Sequence, residues 1–157
     1  MSEREFKPHV TVAAVVEVDG RFLVVEETAG GRRVLNQPAG HLERGESITD
    51  AVVRETLEEA AVDIEPTALI AVYRWAHPTR DRTFVRFTFA ARVLRQHRGR
   101  ALDDGIHRAL WLTREELAAQ PARLRSPMVL RSIDDSRDGP GYPLSLLREL
   151  TGPAGDT

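Results

Sequence analysis

The 157-residue chain is long enough for one domain with a sizeable core, and its 41% hydrophobic and 29% charged content is that of a globular protein. A net charge of −2 excludes a broad electrostatic pull on nucleic acid or membranes, and the lack of cysteine excludes disulfides, thiolate metal centres and cysteine nucleophiles. No apolar run reaches transmembrane length and no signal-type apolar region follows Met1, so a cytoplasmic enzyme without nucleic-acid or membrane partners is the simplest expectation.

Taken in order, His9–Val18 (HVTVAAVVEV) is valine-rich and predicts a strand buried on both faces. Asp19-Gly20 predicts a type I′ hairpin turn, with Arg21–Glu26 as the returning strand. Thr28–Arg33 predicts a flexible loop, and Val34–Gln37 a short strand stopped by Pro38. A glycine loop, Gly40 to Gly45, then leads into a helix that extends towards Val62, with Pro66 breaking the chain after it. Ala68–Trp75 predicts a strand, His77–Arg82 a turn, and Thr83–Leu94 an alternating strand. Gln96–Gly105 is a polar loop before a short strand at Arg108–Leu112. Thr113-Arg114-Glu115-Glu116 is a capping box, which starts a helix that ends before Pro121. A further helix is expected from Pro127 to Ser132 or Asp134, with the proline at its first position, then a loop at Asp134–Gly141 and a helix at Pro143–Leu150. There is no repeat and no linker, so 1–150 reads as a single domain and 151–157 as a disordered tail.

The helix after the glycine loop is the unusual element. Val53, Thr56, Leu57 and Ala60 make one mostly apolar stripe, fit to pack under a sheet. A second stripe begins apolar at Ile48, Ala51 and Val52 and continues as Glu55, Glu58 and Glu59. Those carboxylates repel one another and lie in the last turns, where the macrodipole favours cations. Two readings remain open on these grounds: a solvated acidic face partnered by Arg54, or a site for a hard divalent cation with oxygen ligands.

Gly40, Glu46, Arg54, Glu55, Glu58, Glu59 and Val62 stand at the spacings of the Nudix box, and the chain is identified by this resemblance as a member of the Nudix hydrolase superfamily. Two places depart from the pattern: Thr56 at a usually aliphatic position, and Ala61 where a helix-stopping glycine is usual. An alanine there either ends the helix differently or accepts strain of roughly 1 kcal/mol. The segments FKPHVTVAAVV, FLVVEET, NQPAGHLE, FVRFTFA, LRSP and YPLSLL are similar to the phosphatase NudJ group of that superfamily, from Phe6 to Leu147.

The resemblance implies an α/β fold, a mixed sheet in an α/β/α sandwich with the box helix under the sheet. It also implies hydrolysis of phosphoanhydride bonds with Mg²⁺, or Mn²⁺, as cofactor. Expected metal ligands are the Gly40 carbonyl, Glu55, Glu58 and Glu59. Expected catalytic groups are Glu58, Glu59, Arg54 (paired with Glu46) and, in the loop before the last strand, Asp104; His107 or a box glutamate is the alternative base, and Asp103-Asp104-Gly105 also reads as a plain turn. The substrates implied are small phosphorylated molecules: nucleoside di- and triphosphates, which lose their terminal phosphate, and the thiamine-pathway intermediate hydroxymethylpyrimidine diphosphate.

For substrate contacts, Arg86 and Phe84 share one face of their strand, where an arginine can hold a phosphate and an aromatic ring can stack a base. An outward-facing strand arginine is the competing reading. Asn36 and Gln37 could reach a base edge or simply cap a turn. Tyr73, Trp75 and His9 read as core residues, and Arg125-Ser126 as a group-specific pair or a helix start. Other Nudix substrates such as ADP-ribose, and a non-catalytic nucleotide-sensing domain, are the alternative functions; the latter sits poorly with a full set of box carboxylates. Oligomeric state is not readable from the chain, and a monomer is the working expectation.

Overall fold

The computed structural model describes residues 5–150, so the expected tail at 151–157 lies outside the described residues. Seven strands make one mixed sheet: β1 His9–Val18, β2 Arg21–Ala29, β3 Arg32–Asn36, β4 Ala39–His41, β5 Val62–Ala76, β6 Thr83–Gln96 and β7 Ile106–Thr113. The order is β3-β2-β1-β6-β5, with β4 added to β1 and β7 to β2. β1 runs parallel to β6, from His9 opposite Phe84 to Val16 opposite Ala91, and all other pairings are antiparallel. The helices are α1 Ile48–Ala60, α2 Arg114–Ala118 and α3 Met128–Asp138, joined by single 3₁₀ turns at Pro121–Arg123 and Leu144–Leu146.

Strand alternation divides the core into two layers. Val12, Ala14, Val16 and Phe89 pack with Ala51, Val52 and Ala60 of α1 on one face. Val15, Phe22, Val24 and Leu35 pack with Leu117 of α2 and Ile133 of α3 on the other. This is the expected α/β/α sandwich, and it explains why β1 is buried on both faces from Val12 to Val16. No helix among the described residues is long and apolar enough to cross a membrane.

Local signals hold where chemistry is local. Asp19 and Gly20 both take positive φ (51° and 76°), as the type I′ turn requires. The capping box at Thr113 forms, with the Glu116 amide on Thr113 Oγ1 and the Thr113 amide on the Glu116 carboxylate. Several expectations are corrected. Thr28–Arg33 is not a flexible loop but the end of a hairpin whose tip is Gly30-Gly31, both at positive φ. Pro66 does not break the chain; it sits within β5, an edge strand, at a register shift where a missing N–H is tolerated. Asp134–Asp138 continues α3, because Arg114 and Arg131 partner Asp134 and Asp135 and remove the repulsion between them. Pro127 precedes that helix rather than starting it. The C-terminal helix expected from Pro143 is one 3₁₀ turn, in which Leu144 and Leu147 reach the core while Leu146 is exposed.

The two stripes assigned to α1 are also revised. Its buried row is Ala51, Val52, Glu55, Thr56, Glu59 and Ala60, while Val53 and Leu57 are only partly covered. The helix begins over apolar side chains and then lies against β4, where Ala39 and Gly40 leave room for carboxylates. Thr56 fits its buried place by donating to the Val52 carbonyl one turn back. Ser47 caps the start by accepting from the Asp50 amide. At the other end Ala61 adopts φ 56°, ψ 37° and donates to the Leu57 carbonyl, so the left-handed stop is kept and its strain accepted.

Candidate active site

Four carboxylates gather where α1 passes β4. Oxygens of Glu55, Glu58 and Asp103 lie within 4.8 Å of one another. Glu59, one turn along the buried row, accepts a 3.1 Å hydrogen bond from the Ala39 amide. Gly40 presses so closely on Glu55 that a Cβ there would overlap its carboxylate. Arg54 braces the group: its Nε and Nη2 bind both oxygens of Glu46 at 2.8 and 2.7 Å, and Nη1 donates to Glu55 and Glu58. A further bond from Nη2 reaches the His41 carbonyl. The expected Arg54–Glu46 pair is therefore present as a bidentate fork.

Burial decides the electrostatics. Loss of water pushes the Glu59 carboxyl up to about 8, against the Ala39 bond and with help from the nearby charges of Glu27, Glu55 and Asp103. Burial also raises Glu55, opposed by Arg54. Glu46 is held below its usual range by Arg54, with burial opposing. Arg54 itself is raised, chiefly by its bonds to Glu46. A half-buried group of carboxylates with one arginine is short of positive charge, and its donors are all hard oxygens. These residues fit a divalent cation of the Mg²⁺ or Mn²⁺ type.

A cleft of about 680 Å³ is lined by Glu55 and Glu59 together with residues of β1, β2, β3, β5 and β6. Its floor is Arg86, only 3% exposed. The guanidinium donates to neutral amide oxygens alone, Asn36 Oδ1 at 3.4 Å and Gln37 Oε1 at 3.1 Å, and its Nε has no partner. Among the described residues no carboxylate lies within ion-pair distance of it. Desolvation lowers its pKa to about 10, countered by the charges of Glu27 and Glu59. Two residues along β6, Phe84 stacks on Trp75 at 5.7 Å and on His9 at 5.2 Å, giving three rings across adjacent strands. Phe84 and Trp75 line the cleft, and Arg32, Arg80, Arg82 and Arg125 stand around it.

Gly40, Glu55 and Glu59 line the cleft together with Asn36, Phe84 and Arg86, and Arg54 joins Glu58 to Glu55. Arg86 faces inward and is not the outward-facing strand arginine. Asn36 and Gln37 do not extend free amides to a ligand: Asn36 Nδ2 bonds Glu27 and Gln37 Nε2 bonds the Val129 carbonyl, while their oxygens accept from Arg86. Asp104 stands outside the carboxylate group, and its neighbour Asp103 is inside it. His107 is turned to Thr28, 2.7 Å away. Tyr73 binds Asp135 of α3. Sequence reasoning missed Asp103, Glu27, His41 and the cleft role of Trp75. Only for Asp103 was a signal available, the acidic pair itself.

The chain is similar to known proteins over most of its length. The sequence profile of the family described as "NUDIX domain" matches residues 6–132. The chain is 42% identical over 149 residues to "Phosphatase NudJ" of Escherichia coli K12, covering 94% of this chain and 95% of that protein. It superposes on the structure of a NUDIX hydrolase from Nitrosomonas europaea with a TM-score of 0.89 and 45% identity, covering 92% of this chain and 98% of the other. An ADP-ribose pyrophosphatase from Streptococcus suis shares the fold alone, at 17% identity and a TM-score of 0.67 over 87% of this chain and 96% of that one.

Proposed function

The chain belongs to the Nudix hydrolases, and from that premise we propose that it is a Mg²⁺-dependent phosphatase acting on nucleoside di- and triphosphates and on hydroxymethylpyrimidine diphosphate, with release of the terminal phosphate. The observation that carries this reading is Arg86: a buried cation without an acidic partner, in the same cleft as Glu55 and Glu59. A buried unpaired charge is costly, and a bound phosphate oxygen would satisfy it. The near full-length likeness to a protein named as a phosphatase supports the choice among Nudix activities.

Each residue then has a task. Glu55, Glu58, Glu59, Asp103 and the Gly40 carbonyl would hold the cation, and Arg54 fixes Glu55 and Glu58 in place. When bound, such an ion neutralises phosphate charge and lowers the pKa of attacking water. Asp103, and not Asp104, is the carboxylate that the loop before β7 brings to this group. Glu59 completes the acidic wall beside Glu55. Arg86, oriented by Asn36 and Gln37, binds the phosphate that is not transferred. Phe84 and Trp75 stack the ring of the substrate. The proposal includes a single catalytic unit over 1–150, a monomer, in the cytoplasm.

A phosphate-release panel with and without Mg²⁺ tests it, using ADP, GDP, the triphosphates, hydroxymethylpyrimidine diphosphate and ADP-ribose. Release of terminal phosphate from the first groups supports the reading. Turnover confined to ADP-ribose, giving a nucleoside monophosphate and a second phosphorylated product, overturns it.

A further inference from the structure

The segment between β6 and β7, HRGRALDDG, has to carry Asp103 to the carboxylate group, yet it offers little apolar surface to anchor it. Its placement is also electrostatically adverse. α1 ends there with its negative dipole end and Glu58, and Asp103 adds another negative charge. Polar contacts hold it instead. The Asp103 amide donates to the Glu58 carbonyl at 3.0 Å, and the His97 amide donates to the Ala61 carbonyl at 2.8 Å. Both carbonyls belong to the end of α1, where no further helical amide follows to satisfy them. At the far end the loop is closed by Ile106 donating to Asp103 and by Thr28 donating to Gly105.

At the near end the loop is fixed by one side-chain contact. His97 Nε2 lies 2.5 Å from Oδ2 of Asp63, the second residue of β5. The pair is sheltered, with side-chain exposures of 26% and 34%. Among the described residues, no other side chain of 97–105 makes a hydrogen bond or ion pair. His97 thereby ties the loop to the strand that directly follows the box helix, and Asp63 is the partner that orients the ring.

We propose that His97 and Asp63 are positioning residues for the cation site: they clamp the loop that delivers Asp103, and so set cation affinity without touching the cation. This rests on the reading of Glu55, Glu58 and Asp103 as that site. Neither residue belongs to the carboxylate group, and the loop they hold carries Asp103 into it.

The test measures Mn²⁺ binding to the full chain by electron paramagnetic resonance, without substrate, alongside thermal unfolding. His97→Ala and Asp63→Asn should each weaken Mn²⁺ binding by about tenfold, in the range seen for groups that support metal ligands. His97→Gln, which keeps a donor, should recover most of the affinity. In an Asp103→Asn background the His97→Ala change should have no further effect on affinity, the non-additivity expected of residues acting as one unit. Wild-type affinity in folded His97→Ala, or an equal loss with and without Asp103, overturns the clamp alone. If the wild-type chain binds no Mn²⁺, or Glu55→Gln binds it as well as wild type, the cation reading fails and the clamp falls with it.

Discussion

Gly40 and the Glu55 carboxylate occupy adjoining space with no room for one more carbon between them. The first glycine of the motif and a buried carboxylate fifteen positions later are thus one steric unit. Gly40→Ala should displace Glu55 and weaken Mn²⁺ binding by about 10–100-fold or more, as happens when support for a metal ligand is lost. Circular dichroism should remain that of a folded protein. Unchanged affinity would show that Glu55 is not held by this contact.

Arg86 separates stability from binding. It is buried without a counterion, so removing it relieves a desolvated charge, but it also leaves the buried Asn36 and Gln37 oxygens without their donor, and the two effects oppose each other in stability. The same change removes the charge-assisted bonds offered to a phosphate, which are worth about 1.5–3 kcal/mol. For Arg86→Met we expect KM to rise by roughly 10–100-fold in a protein that still unfolds cooperatively. Steady-state kinetics with thermal unfolding checks both halves; a fall in Tm with KM intact would make Arg86 a structural residue.

Glu26 sets a pH dependence away from the site. This buried carboxylate on β2 is met by Arg108 of β7, Arg123 of the 3₁₀ turn and Arg33 of β3. Burial pushes its pKa up, but the bonds and charges of Arg108 and Arg123 together hold it below the usual range. Its contribution is therefore complete above the unfolded-state value near 4.5 and fades as pH falls through the lower folded-state value. Glu26→Gln should cost up to about 1 kcal/mol at neutral pH, since the arginines it meets keep 39–65% of their side chains in solvent. Urea unfolding should show the wild-type advantage shrinking in acid below about pH 4. A gap independent of pH would mean that the ion pairs contribute nothing.

How far the sequence could be read depended on the range of the signal. The Asp19-Gly20 turn, the Thr113 capping box and the helix beginning after Ser47 are short-range chemistry, and each is legible residue by residue. β5 was hidden because Pro66 is tolerable only at a sheet edge, which is a fact of topology. The length of α3 was hidden because its acidic run is neutralised by Arg114, on another element, as well as by its own Arg131. In the site, motif spacing located Gly40 and the box carboxylates. The choice between Asp103 and Asp104 turns on the amide bond to Glu58, which no local pattern encodes. Trp75 reads as core until Phe84 is found beside it in the antiparallel register.

The central claim is that the carboxylates of α1 serve a cation-assisted hydrolysis and not the fold. Glu59 states it most sharply, because burial raises its pKa to about 8, so its charged form weakens the folded state as pH rises from the unfolded-state value towards 8. The decisive measurement is Mg²⁺-dependent phosphate release by Glu59→Gln, with unfolding followed at pH 8 in the absence of metal. The account predicts a folded protein, at least as stable as wild type, whose turnover falls by about 100-fold or more, the upper end of what lost support for a metal site produces. Turnover near wild type in that folded variant would contradict it.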